Sequence, residues 1–453
     1  MWRLTDLCDC VGGRLVGADT AIAAVGTDSR RDCAGELFVA LRGERFDGHD
    51  FVPAAITRGA AAVMVDHELP VDRPQCVVTD TRIGLGRAAA AWRARFAGTV
   101  VAITGSNGKT TCKEMVAAIL AQTGSVRATR GNLNNDIGMP LTLLGAREER
   151  FLVLEMGANR AGEIGYLAAI GRPHAALITN AGRAHLEGFG SVEGVARAKG
   201  EIASGLPSDG VFVVPAESPY VPLWRVLASG RQVLTFGLNP SADVSADPER
   251  IHVTWEADGF RTSFEVRHGA EHWPVALRLA GQHNVLNALA AMALTRAVGA
   301  PIEAIQAGLA SVRPVAGRLN PRPGVAGCRL IDDSYNANPD SVAAAISVLE
   351  GWPGRRHLVL GDLGELGPDA ERLHGEIGAA AKAAGITALH AVGCLSAAAA
   401  VAFGAGAHHH SDQAGLITAL RSVLGADDLV LVKGSRLAGM ERVVQALSAT
   451  EGV

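Results

Sequence analysis

Aromatic side chains are scarce in this chain of 453 residues, at 4% of the total, so its cores must be built from Ala, Val, Leu and Ile. Lysine is scarce too. Lys and Arg together number 42, yet the lysines are only Lys109, Lys113, Lys199, Lys382 and Lys433. Genomic composition explains the scarcity but not these positions. The seven cysteines contain no Cys-x-x-Cys pair, and an odd count suits no secreted disulfide framework. Free, mostly buried thiols in a reducing cytoplasm are expected. Long apolar runs are also missing, because the Ala-rich stretches are soon interrupted by Arg, Gly or Glu. Asp6 and Asp9 stand where a signal peptide needs apolar residues. No membrane insertion is expected. Net charge is small, at −4, which excludes the basic surface of a general nucleic-acid binder.

A hydrophobic share of 48% excludes a disordered chain, and the length predicts about three domains. Short apolar runs ending in Gly, Asp, Asn or Ser alternate with Ala-rich helical stretches, the pattern of buried parallel strands with crossover helices. Strands are predicted at 36–41, 61–66 and 76–79, with a helix over 82–96. A second block has strands at 99–104, 151–155, 175–179 and 211–214. Residues 240–280 alternate in polarity and predict an antiparallel insertion. A third block has strands at 328–331, 357–360, 389–392 and 429–432.

The strongest local signal is Thr104-Gly-Ser-Asn-Gly-Lys-Thr-Thr111, between an apolar strand and a helix whose Cys112, Met115, Val116, Ile119 and Leu120 share one face. Gly105 and Gly108 let the backbone bend so that amides around Ser106 and Asn107 converge on phosphate oxygens. The helix N-terminus adds its positive dipole end. Lys109 would reach the β- and γ-phosphates, and the hydroxyl of Thr110 or Thr111 would bind Mg²⁺. Ile103 stands where the strict Walker A motif has its first glycine, so this is a shorter variant.

Two further groups lie at predicted strand ends, where doubly wound sheets bind ligands. Glu155 ends one strand, and the strand 175–179 runs into Asn180-Ala-Gly-Arg-Ala-His185. If these strands are parallel to the phosphate-loop strand, Glu155 and His185 face the crevice of Lys109 as metal ligands. Alone, Glu155 reads equally well as a helix-cap carboxylate, and His185 reads better as a surface-loop histidine; their joint placement raises both. Lys199 sits in a helical segment. Burial would lower its pKa and let the neutral amine take up CO₂ as a carbamate, but the local sequence favours a salt-bridged helix lysine. Lys113 and Lys382 read as solvated surface charges, and His408-His-His410 as a solvated loop. Glu365 follows a strand end and is a candidate substrate contact.

The chain resembles the Mur ligases, the ATP-dependent amide ligases of peptidoglycan precursor synthesis, over essentially its whole length. The resemblance is carried by Thr27-Asp-Ser-Arg30, Gly35–Gly43, Asp47–Phe51, the phosphate loop, Asn132–Gly138 and Glu155–Asn159. It continues through Asn180–Gly190, Ala198-Lys-Gly-Glu201, Gly281–Asn287, Gly317-Arg-Leu-Asn320, Asp332–Pro339, Leu360–Leu366 and Lys433-Gly-Ser-Arg436. It implies an α/β fold of three domains. A central P-loop-type parallel-sheet ATPase (98–316) is flanked by an N-terminal α/β UDP-binding domain (1–97) and a C-terminal Rossmann-like domain (317–453). It implies ATP and two Mg²⁺ sites, with Glu155, His185 and a carbamylated Lys199 as ligands alongside Thr110. Lys109, Lys199 and His185 would be the catalytic groups. Asn287 and Arg318 match nucleotide-contacting positions, Asp333 a ribose contact, and Ser29 and Arg30 the UDP-binding turn. The string Asp332–Pro339 is typical of the member whose substrates are UDP-MurNAc-tripeptide and D-Ala-D-Ala. A cytoplasmic monomer is expected. Another Mur ligase, a folate polyglutamate synthase and a P-loop ATPase motor are the competing readings.

Overall fold

The computed structural model describes residues 2–256 and 259–449. Besides a two-stranded ribbon of Trp2–Arg3 with Ala21–Ile22, three larger sheets follow one another along the described residues. The first has Ala24–Gly26, Glu36–Val39, Ala62–Val65 and Gln75–Val77 in parallel, with Arg14–Val16 added antiparallel at one edge. Helix Thr81–Arg95 then leads to the central sheet. Asp80 caps it by accepting from the amides of Arg82 and Ile83 at 2.8 and 3.0 Å. Arg93 in its last turn is buried because it donates to three backbone carbonyls, those of Phe96, Gly171 and Arg172.

The central sheet has ten strands. The phosphate-loop strand Thr99–Thr104 lies between Phe151–Glu155 and Ala175–Ile178, and both run parallel to it. Every residue of Phe151–Glu155 and Ala175–Ile178 is buried, which is why the sequence shows runs and not alternation. Val211–Pro215, Gln232–Gly237 and Val244–Ala246 extend the parallel order. The alternating region is antiparallel, as its polarity predicts, but it is no separate insertion. Gly259–His268 pairs with Val244–Ala246 and so continues the same sheet. One face of the sheet packs on the first unit through Leu85, Ala88, Leu154 and Ile178. The other is covered by helices Lys109–Ala121, Gln282–Ala297 and Ile302–Ser311.

The third sheet runs Asn320–Pro323, Arg329–Asp333, Leu429–Lys433, Arg356–Gly361, Ala388–Val392 and Ala407–His410, parallel except for its first strand. Apolar clusters cover both of its faces.

Two readings need correction. Lys113 is not solvated but 2% exposed. Its Nζ donates to the Thr129 carbonyl at 2.7 Å and pairs with Glu114. The stem is buried with its ammonium, which the Thr129 carbonyl and the Glu114 carboxylate satisfy in place of water. The triplet His408–His410 is not a loop but part of an edge strand, with His408 opposite His390 and His410 opposite Val392. His390 stacks on His357, His408 and His410 at ring separations of 5.8, 5.1 and 5.6 Å. Burial, reinforced by the neighbouring imidazoles, pushes the His390 pKa down to about 3. Three consecutive polar residues carry no strand signal; the backbone partner lies about twenty residues earlier.

Candidate functional site

The carboxyl ends of the central parallel strands open on a cleft of about 790 Å³ whose opposite wall comes from the third unit. The phosphate loop forms its floor. Gly108 adopts φ = +79°, and a Cβ there would lie 2.3 Å from Asn287 Oδ1. At Gly105 a Cβ would lie 1.9 Å from Thr179 Oγ1. Both positions therefore require glycine. Asn180 shapes the loop by accepting from the amides of Ser106, through its carbonyl, and Asn107, through its side chain. The helix begins at Lys109, so its first-turn amides have no intrahelical acceptor and are available to phosphate.

Lys109 Nζ donates to the carbonyls of Gly105 and Ser106 at 2.6 and 3.1 Å. Burial, aided by Arg318, lowers its pKa to about 8 against the pull of Glu155. Phosphate oxygens would reverse that shift by supplying the missing negative charge. Thr110 Oγ1 lies 3.3 Å from Glu155 Oε1 and accepts from Arg318 Nη2 at 3.0 Å. Asn134 Nδ2 also donates to Glu155 Oε1, at 2.8 Å. Glu155 Oε2 is buried and has no partner among the described residues. An orphaned carboxylate oxygen beside a threonine hydroxyl fits a hard divalent cation.

His185 lines the same cleft. Its Nδ1 lies 2.5 Å from Glu365 Oε2 of the third unit. Lys199 does not line the cleft. It is 1% exposed, and its Nζ donates to the Ala158 carbonyl at 3.3 Å beside the Phe189 ring. Burial, with Lys109 as the next cause, brings its pKa down to about 7. Among the described residues no carboxylate pairs with it within 4.0 Å, so the local expectation of a salt-bridged helix lysine is overturned. A buried amine that is partly neutral at physiological pH is suited to carbamate formation.

From the third unit come Arg318, stacked on Tyr335 at 4.5 Å, and Asp333, which accepts from Lys433 Nζ at 2.6 Å and from the Leu319 amide at 3.1 Å. Burial raises the Asp333 carboxyl above its ordinary range, and Lys433 opposes it. Thr111, Asn287, Arg318 and Asp333 line the cleft with the phosphate loop. Ser29 and Arg30 do not. They follow the strand Ala24–Gly26, and Arg30 pairs with Asp28 at 2.8 Å. Sequence reading missed the contacts that join the walls. Arg183 binds Asp340 at 2.8 Å, and Asn338 donates to Asn107 at 2.7 Å. The partners are 157 and 231 residues apart, so no local signal could have paired them.

A parallel sheet with a glycine-bent phosphate loop, an orphaned carboxylate and a lysine-bearing crevice defines a nucleotide-binding α/β enzyme of the P-loop class. The comparisons narrow this. Residues 103–295 match the Mur ligase middle domain, 317–436 the "Mur ligase, glutamate ligase domain", and 21–93 the "Mur ligase family, catalytic domain". The chain belongs to the Mur ligase family. It is 47% identical over 447 residues to the UDP-N-acetylmuramoyl-tripeptide–D-alanyl-D-alanine ligase of Escherichia coli K12, covering 98% of each chain. The Haemophilus influenzae ligase of the same name is 39% identical, with 97% of each chain covered. A crystal structure of MurF from Acinetobacter baumannii superposes with a TM-score of 0.91 at 35% identity, covering 98% of each chain. That of MurF from Thermotoga maritima in complex with ADP superposes with a TM-score of 0.83 at 30% identity, covering 93% of this chain and 96% of that one.

Proposed function

We propose that this chain is an ATP-dependent ligase that joins D-Ala-D-Ala to UDP-MurNAc-tripeptide, releasing ADP and phosphate, in peptidoglycan precursor synthesis. The observation that carries the chemistry is the meeting of the phosphate loop, Glu155 and His185 with Arg318 and Asp333 across one cleft. The near-full-length relatives named above carry the choice of substrates.

A carboxylate is a poor electrophile, so the tripeptide's terminal carboxylate must first be activated. It attacks the γ-phosphorus of ATP, the bond to the bridging oxygen breaks, and an acyl phosphate and ADP result. Lys109 leaves the loop carbonyls and neutralises charge on the transferring oxygens, while the first-turn amides hold the phosphates. Asn287, beneath Gly108, and Arg318 bind the nucleotide, and Asp333 accepts from its ribose. The free amine of D-Ala-D-Ala then attacks the acyl carbon, phosphate departs, and the amide remains. The contacts between the walls exclude water, which would otherwise hydrolyse the acyl phosphate.

Thr110, Glu155, His185 and a carbamylated Lys199 would hold Mg²⁺ at two sites. Bound there, the metal would supply Lewis-acid charge stabilisation to phosphate and carboxylate oxygens. The carbamate would turn a buried cation that has no carboxylate within 4.0 Å among the described residues into an anion. Ser29 and Arg30 form the UDP-binding turn of an N-terminal domain ending near residue 97, and the C-terminal domain begins near 317. Among the described residues no helix is long and apolar enough to cross a membrane. We assign the enzyme to the cytoplasm as a monomer, with no nucleic-acid partner.

Phosphate release from ATP is the test, measured with UDP-MurNAc-tripeptide in the presence and absence of D-Ala-D-Ala, with the product weighed by mass spectrometry. Phosphate and amide are expected in equal amounts only with both substrates. Sustained turnover without the dipeptide, and no amide with it, would overturn the reading.

A further inference from the structure

His185 and Glu365 belong to different units of the molecule, yet both carry the same backbone anomaly. His185 has φ = 54° and Glu365 φ = 60°, left-handed conformations that non-glycine residues seldom adopt. Such residues persist only where their surroundings over-determine them, and they cluster at functional sites. Here the two side chains meet, His185 Nδ1 lying 2.5 Å from Glu365 Oε2. The contact is a close approach of charge: by hydrogen-bond geometry this buried nitrogen has no partner among the described residues, and Glu365 is the carboxylate beside it. The same loop is held a second time by the third unit, because Arg183 binds Asp340 and Glu376. The loop 183–185 is thus gripped at both ends by acidic residues of the facing wall.

An imidazole is a metal ligand only through a nitrogen that carries no proton. A carboxylate beside Nδ1 keeps the proton there and leaves the lone pair on Nε2. Among the described residues no hydrogen bond engages the His185 Nε2. We infer that Glu365 is a positioning residue. By holding Nδ1–H when the third unit closes on the central sheet, it fixes the tautomer and orientation of His185 and so makes divalent-metal binding depend on closure. The inference rests on the reading of His185 as a metal ligand. It adds the reason a wall with no metal ligand of its own is needed to complete the metal site. Phosphoryl transfer then cannot begin in the open molecule, where an acyl phosphate would meet water.

The test is Mn²⁺ titration of the full chain with ADP and UDP-MurNAc-tripeptide present, with free Mn²⁺ read by electron paramagnetic resonance. Glu365→Gln keeps the shape but offers an amide whose N–H₂ can donate to Nδ1 and move the imidazole proton to Nε2. The Mn²⁺ dissociation constant is expected to rise by about 10- to 100-fold, the usual effect of losing a partner behind a ligand. The His185 ring nitrogens, followed by ¹⁵N NMR, should shift from the Nδ1–H towards the Nε2–H form. The Glu365 side chain is half exposed, so the melting temperature should hold, and it serves as the folding control. His185→Ala separates the two ideas. If it leaves Mn²⁺ affinity unchanged, His185 is no ligand and the reading beneath this inference fails. If it weakens binding while Glu365→Gln changes neither affinity nor tautomer, the positioning role of Glu365 is wrong.

Discussion

Gly108 sits where the phosphate loop turns into its helix, at φ = +79° with Asn287 Oδ1 beneath it. Gly108→Ala adds about 1–2 kcal/mol of left-handed strain and a methyl group where the Asn287 amide now lies. It should lower the melting temperature modestly and raise the KM for ATP much more than the KM for D-Ala-D-Ala, as steady-state kinetics would show. Lys199 makes a different demand. If its amine carries the carbamate, Lys199→Ala should lower kcat by about 10²–10³-fold, the scale of losing one electrostatic stabiliser. Short-chain carboxylates added in solution should restore part of it. Unchanged activity in Lys199→Ala would remove the carbamate. At this scale the sequence already exposed Lys109, Glu155 and His185, because each follows a buried strand and strand ends are where such sheets bind ligands. It misjudged Lys113, because helix position alone does not say which face is covered.

Arg93 ties the helix Thr81–Arg95 to the carbonyls that end Glu163–Gly171. Arg93→Ala leaves three carbonyls without this donor and should cost about 2–3 kcal/mol in urea unfolding, with kcat little changed. The edge strand Ala407–His410 makes a prediction about pH. The His390 pKa in the folded protein lies near 3, below its unfolded value, so the unfolded chain takes up a proton first as pH falls. Stability is therefore full above about pH 6.5 and is lost progressively towards pH 3. At pH 5 the loss from His390 alone is about 2 kcal/mol. Burial also lowers the pKa values of His357 and His410, opposed by Asp428 and Asp412 respectively, and this adds to the trend. The urea midpoint should fall between pH 7.5 and 5.0, and His390→Leu should flatten that fall. The strands and helices were legible nearly to their ends wherever burial wrote an apolar run. The histidine strand was not, because a polar edge strand is made by its neighbour.

Across the whole molecule, the nucleotide cleft is closed by a few polar contacts between the central sheet and the third unit: Asn107 with Asn338, Thr110 with Arg318, and Arg183 with Asp340. Asp340→Ala removes the acceptor of the Arg183 amide and one of the two carboxylates on its guanidinium, leaving Glu376. Its radius of gyration by small-angle X-ray scattering should exceed that of the unmodified chain. Its ATP turnover should exceed its amide formation, because water reaches the acyl phosphate when the wall is loose. Equal radii and full coupling would show that this pair does not hold the cleft shut.

By itself the sequence determined what depends on near neighbours: the glycine-bent loop before an amphipathic helix, the buried strands and the acid and base at their ends. These are set by backbone sterics and by hydrophobic burial within a dozen residues. Only the tertiary structure decided which charges lost their water and which distant groups met. It put Lys199 against the Ala158 carbonyl with no carboxylate within 4.0 Å among the described residues, brought Lys433 onto Asp333, and set Glu365 against His185. Desolvation and contacts between residues tens to hundreds apart arise only when the chain folds and its units pack, so no local pattern can encode them. The scarcity of lysine already suggested that the few survivors were worth questioning, and burial now separates Lys113, Lys199 and Lys433, with the half-buried Lys109 of the phosphate loop, from the exposed Lys382.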